Sequence, residues 1–370
     1  MYGLIALHIA HWQIAGPTLA PLELHEVMVT AELGIVTAGF LFMSVAVVGT
    51  LVFGRFFCSW GCHLLALEDL CAWLLAKVGI RPKPVRSRCL LLVAPGAFLY
   101  MFVWPHVVRV MEHRPAPTLR IAPESEQWAS FTTTDLWRNL PSPAVALLTF
   151  AVCGFLIVYL LGTRSFCKYV CPYGVLFGAA DRFAPGRIRL KQGIDAARCL
   201  ECGICTSVCQ SNVRVHEELA QHRMVVSSRC LRDLDCVAVC PQGGLRFGLG
   251  ALPGVRRSVP SGAYDFSITE DLMLASVFLA AFAAFRGLSW GVPFLMALGL
   301  AVCVAYLVMV GARLVRQAHV RLNNFQLKRQ GSLTRAGLGF GVGVVLVVAA
   351  TTHSGVVRYH EVRGSVCFER

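Results

Sequence analysis

The stretch Cys199-Leu200-Glu201-Cys202-Gly203-Ile204-Cys205-Thr206-Ser207-Val208-Cys209 and, after an interval, Cys230-Leu231-Arg232-Asp233-Leu234-Asp235-Cys236-Val237-Ala238-Val239-Cys240-Pro241 decide how the rest of this chain is read. The first half has the C-x2-C-x2-C-x3-C spacing that holds iron–sulfur clusters in bacterial proteins. Three thiolates on one tight loop each reach a different iron of one cubane, and the fourth serves the other cluster of the pair. That places Cys199, Cys202, Cys205 and Cys240 around one [4Fe-4S] cluster and gives Cys209 to a second.

The second half departs from the pattern at one position. Cys230 and Cys236 fall where the first and third ligands belong, and Asp233 stands at the second. A carboxylate is a harder ligand than a thiolate but still binds iron. The second set therefore reads Cys230, Asp233, Cys236 and Cys209, with one oxygen-ligated iron. A [3Fe-4S] cluster lacking a ligand at that corner, or Asp235 in place of Asp233, are the alternatives; Asp233 fits the spacing without adjustment. Zinc ribbons use two separated C-x2-C knuckles, which this array does not have.

Composition points to lipid. The 370 residues are only 15% charged, with mean hydropathy +0.62, too apolar for an ordinary soluble protein. Apolar runs near the ~20-residue spanning length lie at about Met1–Ile14, Leu33–Phe53, Cys89–Val108, Ala144–Leu161, Leu272–Phe285, Val292–Val310 and Gly337–Thr352. The first is short and has no charged n-region before it, so a signal peptide is not expected; the run reads as an incomplete first helix or one missing an N-terminal piece. The net charge of +13 comes with no nucleic-acid motif and collects in particular loops. Arg55, Lys77, Arg81, Lys83, Arg86 and Arg88 follow the second run, and Arg313, Arg316, Arg321, Lys328, Arg329 and Arg335 follow the sixth. The positive-inside rule then makes the loops after runs two, four and six cytoplasmic, the cysteine array included, and puts the C-terminus outside. Of the sixteen cysteines, eleven lie in this array and in two C-x3-C pairs, as suits a reducing compartment.

Those pairs form an internal repeat. Gly54-Arg55-Phe56-Phe57-Cys58-Ser59-Trp60-Gly61-Cys62-His63 and Thr163-Arg164-Ser165-Phe166-Cys167-Lys168-Tyr169-Val170-Cys171-Pro172 share R-x-F-C-x3-C at the cytoplasmic mouth of a span. Two hairpins related by an axis along the membrane normal would follow, a parallel repeat. On a continuous helix each pair shares one face, and Cys58, Cys62, Cys167 and Cys171 could converge as a third metal or redox thiol site. The bland reading is packing by small buried thiols, and repetition of the whole motif argues against it.

These motifs resemble the membrane-bound polyferredoxins of the NapH, NosR and CcoG (RdxA/FixG) type. The resemblance covers roughly 53–248 closely and the flanking helices loosely. His63 and Gln210 stand where prolines are usual in that family, while Pro172 and Pro241 are kept. It implies a multi-pass protein of the bacterial inner membrane that moves electrons between the quinone pool and a partner redox protein, as an electron carrier or quinol dehydrogenase-like subunit. In one branch copper is reduced during oxidase assembly, with the paired thiols as soft copper ligands. Flavin-bearing relatives have an extra periplasmic domain for which no segment here is long enough, and Thr132–Thr134 is a weak motif for flavin attachment.

The expected fold is an α-helical polytopic membrane protein of about seven spans, a parallel pseudo-repeat of two hairpins, with an inserted bacterial-type two-cluster ferredoxin-like α+β domain. Membrane helices with the first C-x3-C motif occupy 1–162, the second motif and a connector 163–190, the ferredoxin domain 191–250, and a linker with the last helices 251–370. His8, His11, His106 and His353 lie near outer span ends and offer a quinone or haem site; interfacial histidines bonded to backbone are the competing reading. The basic run Arg81–Arg88 suits anionic headgroups. The lipid bilayer, a quinone and a redox protein are the expected partners, and nucleic acid is not.

Overall fold

Apolar runs become helices where a polar side chain caps the start and a glycine or proline marks the end. In the computed structural model, which describes residues 2–20, 26–121, 131–137, 142–195, 202–254, 256–260, 262–287 and 292–368, Thr37 caps helix Ala38–Phe53 through Oγ1 and Gly54 ends it at φ +77°. The expected run began at Leu33, but Gly34 takes φ +74° and Ile35–Val36 pairs as a strand with Arg120–Ile121. The helix is shortened to 16 residues, about 24 Å at 1.5 Å per residue. Tyr2–Ala15 is shorter still, with 14 residues.

Among the described residues five helices are long and apolar enough to cross a membrane: Leu90–Met111, Pro143–Leu161, Ile268–Phe285, Phe294–Arg316 and Arg335–Gly364. The last continues to Phe368, well past the expected end. Leu338, Val342, Val345, Leu346 and Val356 on it are exposed, a surface suited to hydrocarbon rather than water. The described chain is mostly helical, with these five helices of membrane-crossing length and composition.

The described residues divide into two compact units that do not follow chain order. The first comprises Met1–Ala66, Ala94–Leu140 and Pro172–Gly262. Strands Arg187–Leu190 and Leu245–Gly248 bracket its cysteine array and pair antiparallel, Arg187 opposite Gly248 and Leu190 opposite Leu245. The strand Arg187–Leu190 lies just before residue 191, the expected start of the ferredoxin domain. Ile188, Val213, Leu219, Val225 and Leu245 fill its core. Buried Glu218 accepts backbone N–H groups from Val226 at 2.8 Å, Ser227 at 3.0 Å and Val259 at 3.2 Å.

The second unit comprises Leu67–Val93, Pro141–Cys171 and Ala263–Arg370. Ser267 and Glu270 form a capping box at the start of Ile268–Phe285, and Arg313 grips Glu270 with two bonds of 2.7 and 2.8 Å. Buried Asp271 accepts from Ser87 Oγ at 2.6 Å and Arg88 Nη1 at 3.1 Å. Arg88 also lies over the Tyr264 ring. That end of the basic run is therefore tied into the fold.

Burial pushes the Glu218 carboxyl up, against the pull of its N–H donors. The folded chain then holds this proton to higher pH than the unfolded one, so its contribution to stability falls as pH rises from the usual carboxylate range through the raised value. Glu218→Gln should flatten that slope. Glu218→Ala should strand three donors, about 1–3 kcal/mol each. Thermal melts across pH, followed by circular dichroism, check both.

Candidate metal centres

The two halves of the cysteine array repeat one backbone path. Gly203 (φ +61°) and Leu234 (φ +69°) each take the left-handed conformation and open a short helix, Ile204–Ser207 and Asp235–Ala238. Thr206 and Ser207 N–H donate to Gly203 O, as Val237 and Ala238 N–H donate to Leu234 O. Asn212 and Gly243 close the two segments, both at φ +54°. The offset that carries Cys205 to Cys236 and Cys209 to Cys240 carries Cys202 to Asp233. A leucine in the left-handed region costs roughly 1–2 kcal/mol, so the path is held by the surrounding fold.

Cys202, Cys205 and Cys240 line one cavity with Leu190, Ile194 and Leu219, and Gly244 N–H points at Cys240 Sγ from 3.3 Å. Cys199, the fourth expected member, lies outside the described residues. Cys209, Cys230, Asp233 and Cys236 form the other group. Burial first, then the Cys230 and Asp233 charges, push the Cys209 thiol up to about 11. Cys236 is pushed further up by burial and by Cys230, Asp233, Cys209 and Cys205. Crowded, desolvated acids ionise together only when a cationic centre joins them. An iron–sulfur cluster is a centre of that kind, while among the described residues no three His, Cys, Asp or Glu side chains stand together as ligands of a single metal ion.

The C-x3-C pairs do not lie on continuous helices, which corrects the expectation of one shared face. Helix Phe56–Trp60 ends at Gly61 and a new helix starts at His63, leaving Cys62 in the joint. Helix Ser165–Tyr169 ends at Val170 and Pro172 precedes Tyr173–Asp181, leaving Cys171 in the same place. Each motif is a helix, a break and a helix. Cys58 and Cys62 belong to the first unit, Cys167 and Cys171 to the second.

Each motif arginine is anchored by an acid from the helix after the other motif. In the first unit Arg55 N–H donates to Asp181 Oδ1 at 3.2 Å, and Arg55 Nη2 reaches Cys58 Sγ at 3.8 Å. In the second, Arg164 Nε and Nη2 both lie 3.2 Å from the Asp69 carboxylate. Glu68 accepts N–H from Phe166 at 2.8 Å and from Cys167 at 3.3 Å; burial pushes its carboxyl up to about 7. Sequence reading quoted the arginines but gave these acids no role. The signal was present, since an acid follows each motif within two or three helical turns.

The histidines are occupied differently. His8 Nε2 donates to Leu19 O at 3.0 Å and His11 Nδ1 bonds Thr18 Oγ1 at 3.1 Å. Both join the first helix to the ladder of Thr18–Leu19 with Thr132–Thr133. His106 and His353 are exposed in different units.

Comparison with known proteins points to iron–sulfur proteins of the ferredoxin type. The family described as "4Fe-4S binding domain" matches residues 35–81 and again 143–191, one C-x3-C motif in each. YccM of Escherichia coli (strain K12), whose name assigns it provisionally to electron transport, is 28% identical over 61% of this chain and 60% of its own length. The methylamine utilization ferredoxin-type protein MauN of Methylobacillus flagellatus is 25% identical over 46% of this chain and 56% of its own. The ferredoxin-type protein NapH of Haemophilus influenzae is 25% identical over 62% of this chain and 76% of its own. The chain thus spans well under two thirds of the length of the first two. No solved structure matches. The resemblance to NapH-type polyferredoxins holds.

Glu68→Ala should leave the Phe166 and Cys167 N–H groups without their acceptor, about 1–3 kcal/mol each. Asp69→Ala should cost under about 1 kcal/mol, because Asp69 is partly exposed. Comparing the two melting temperatures in detergent checks the ranking.

Proposed function

We propose that this chain is a membrane-bound electron-transfer protein with two clusters in its ferredoxin domain. Cys199, Cys202, Cys205 and Cys240 hold the first, and Cys230, Asp233, Cys236 and Cys209 the second. The observation that carries this reading is the shared backbone path of the two halves, which gives Asp233 the place of Cys202. The clusters supply one-electron redox chemistry; the protein fixes their spacing, burial and field.

The two family matches support an internal repeat built around the two C-x3-C motifs, each a candidate metal or thiol redox pair. Basic loops support a cytoplasmic ferredoxin domain and an outside C-terminus. A quinone and a redox protein are the exchange partners that the NapH resemblance implies, at the bacterial inner membrane.

Protein purified without oxygen should contain roughly four iron and four sulfide per cluster. Cys236→Ser should remove the second cluster's EPR signal and leave the first. Asp233→Cys should change the second cluster's spectrum and potential; identical spectra would exclude ligation by Asp233. A colourless preparation without inorganic sulfide would end the proposal.

A further inference from the structure

A charge imbalance is buried beside the second ligand set. Asp181 is fully buried, with Arg232 Nη2 at 2.7 Å and Arg187 Nη2 at 3.2 Å from its carboxylate. The Arg55 guanidinium, 9% exposed, donates to Ser228 O at 3.1 Å. Arg187 and Arg232 are 0% and 2% exposed. Two guanidiniums, those of Arg187 and Arg232, thus share one carboxylate, and positive charge is in excess in a dehydrated place. Excess buried charge is costly unless a counter-charge is near.

The neighbouring acids are the ligand set itself. Arg232 donates to Cys230 O and directly precedes Asp233, and Arg187 shares the Asp181 carboxylate with it. The same loop rests on the first C-x3-C motif, where Ser59 Oγ donates to Leu231 O at 2.7 Å and Trp60 Nε1 to Arg232 O at 3.2 Å. The cavity at the first set is lined instead by Leu190, Ile194, Leu219 and Leu245.

We infer that Arg187 and Arg232, with Asp181 as their hub, are the fixed counter-charge of the second cluster and raise its reduction potential. The inference rests on the two-cluster reading proposed above. Reduction adds one electron to an already anionic cluster without making or breaking a bond. Buried cations stabilise the reduced form more than the oxidised one, which raises the potential. These are positioning residues. They act through their field and through the backbone that presents Cys230 and Asp233.

The experiment is an EPR-monitored redox titration of the full-length protein with dithionite and mediators. It compares wild type with Arg232→Gln, Arg232→Lys and Asp181→Asn. Removing a cation should lower the second potential and removing the anion should raise it. Each shift should be at least tenfold in the reduced-to-oxidised ratio at fixed potential, about 59 mV for one electron. Arg232→Lys should stay near wild type, and the first cluster should not move in any variant. A purely structural role would shift Arg232→Gln and Asp181→Asn in the same direction, and that result, or two unmoved potentials, overturns the inference. If Arg232→Gln assembles no second cluster, Arg187→Gln carries the same downward expectation. Fewer than two clusters in the wild type would instead refute the underlying reading, and this inference with it.

Discussion

The first unit depends on one carboxylate. Asp181 closes helix Tyr173–Asp181 in a place without water, and its oxygens bond the Arg55 backbone and the Arg187 and Arg232 side chains. Three sequence segments meet there: the start of the first cysteine motif, the first ferredoxin strand and the second ligand loop. An isolated charge in such a place would be expelled or neutralised. Its partners make it a clamp whose geometry is fixed by hydrogen bonds, and removing any one strands the rest. Glycines are required around it. A Cβ on Gly54 would stand 2.8 Å from the Arg232 guanidinium, and one on Gly186 would stand 2.7 Å from Phe53 Cα.

The second unit uses the same chemistry at lower cost. Arg164 is buried but its partner Asp69 is partly exposed, so water shares the ion pair. The stronger contact there is Glu68, which takes up the free N–H groups at the start of helix Ser165–Tyr169 as a negative group at a helix N-terminus does. Two copies of one motif therefore end in different electrostatic settings, charged and dry in one, polar and partly wet in the other.

Much of this was legible in the chain. Cysteine spacing is a covalent ruler, so the 31-residue offset that sets Asp233 against Cys202 could be read without a fold. Hydropathy located the helices, yet the second run was drawn too long, because Gly34 and Thr37 break it and no window average registers a cap. The C-x3-C pairs were placed on continuous helices because spacing alone cannot show that Gly61 and Pro172 interrupt them. The acids at 68, 69 and 181 were missed for another reason. Their partners are distant in sequence, and only the folded chain brings Asp181 to Arg55. The histidines at 8 and 11 illustrate the converse, since ionisable side chains near a span end found backbone and hydroxyl partners a few residues away.

Buried thiols and buried guanidiniums carry opposite burdens that offset each other. Cys209 and Cys236 resist ionisation because they are dry and crowded, while burial weakens the hold of Arg187 on its proton. Neither group is comfortable alone. On the two-cluster reading, an anionic centre between them relieves both: thiolates are neutralised by iron, and the guanidinium excess by the net negative charge of the assembled site. Binding energy at such a site is folding energy, and a species that binds only the folded chain stabilises it by mass action. The Asp181 clamp would then be preassembled in charge but completed by the cluster. On that reading the positive charge of Arg187 and Arg232 has its counterpart in the assembled site.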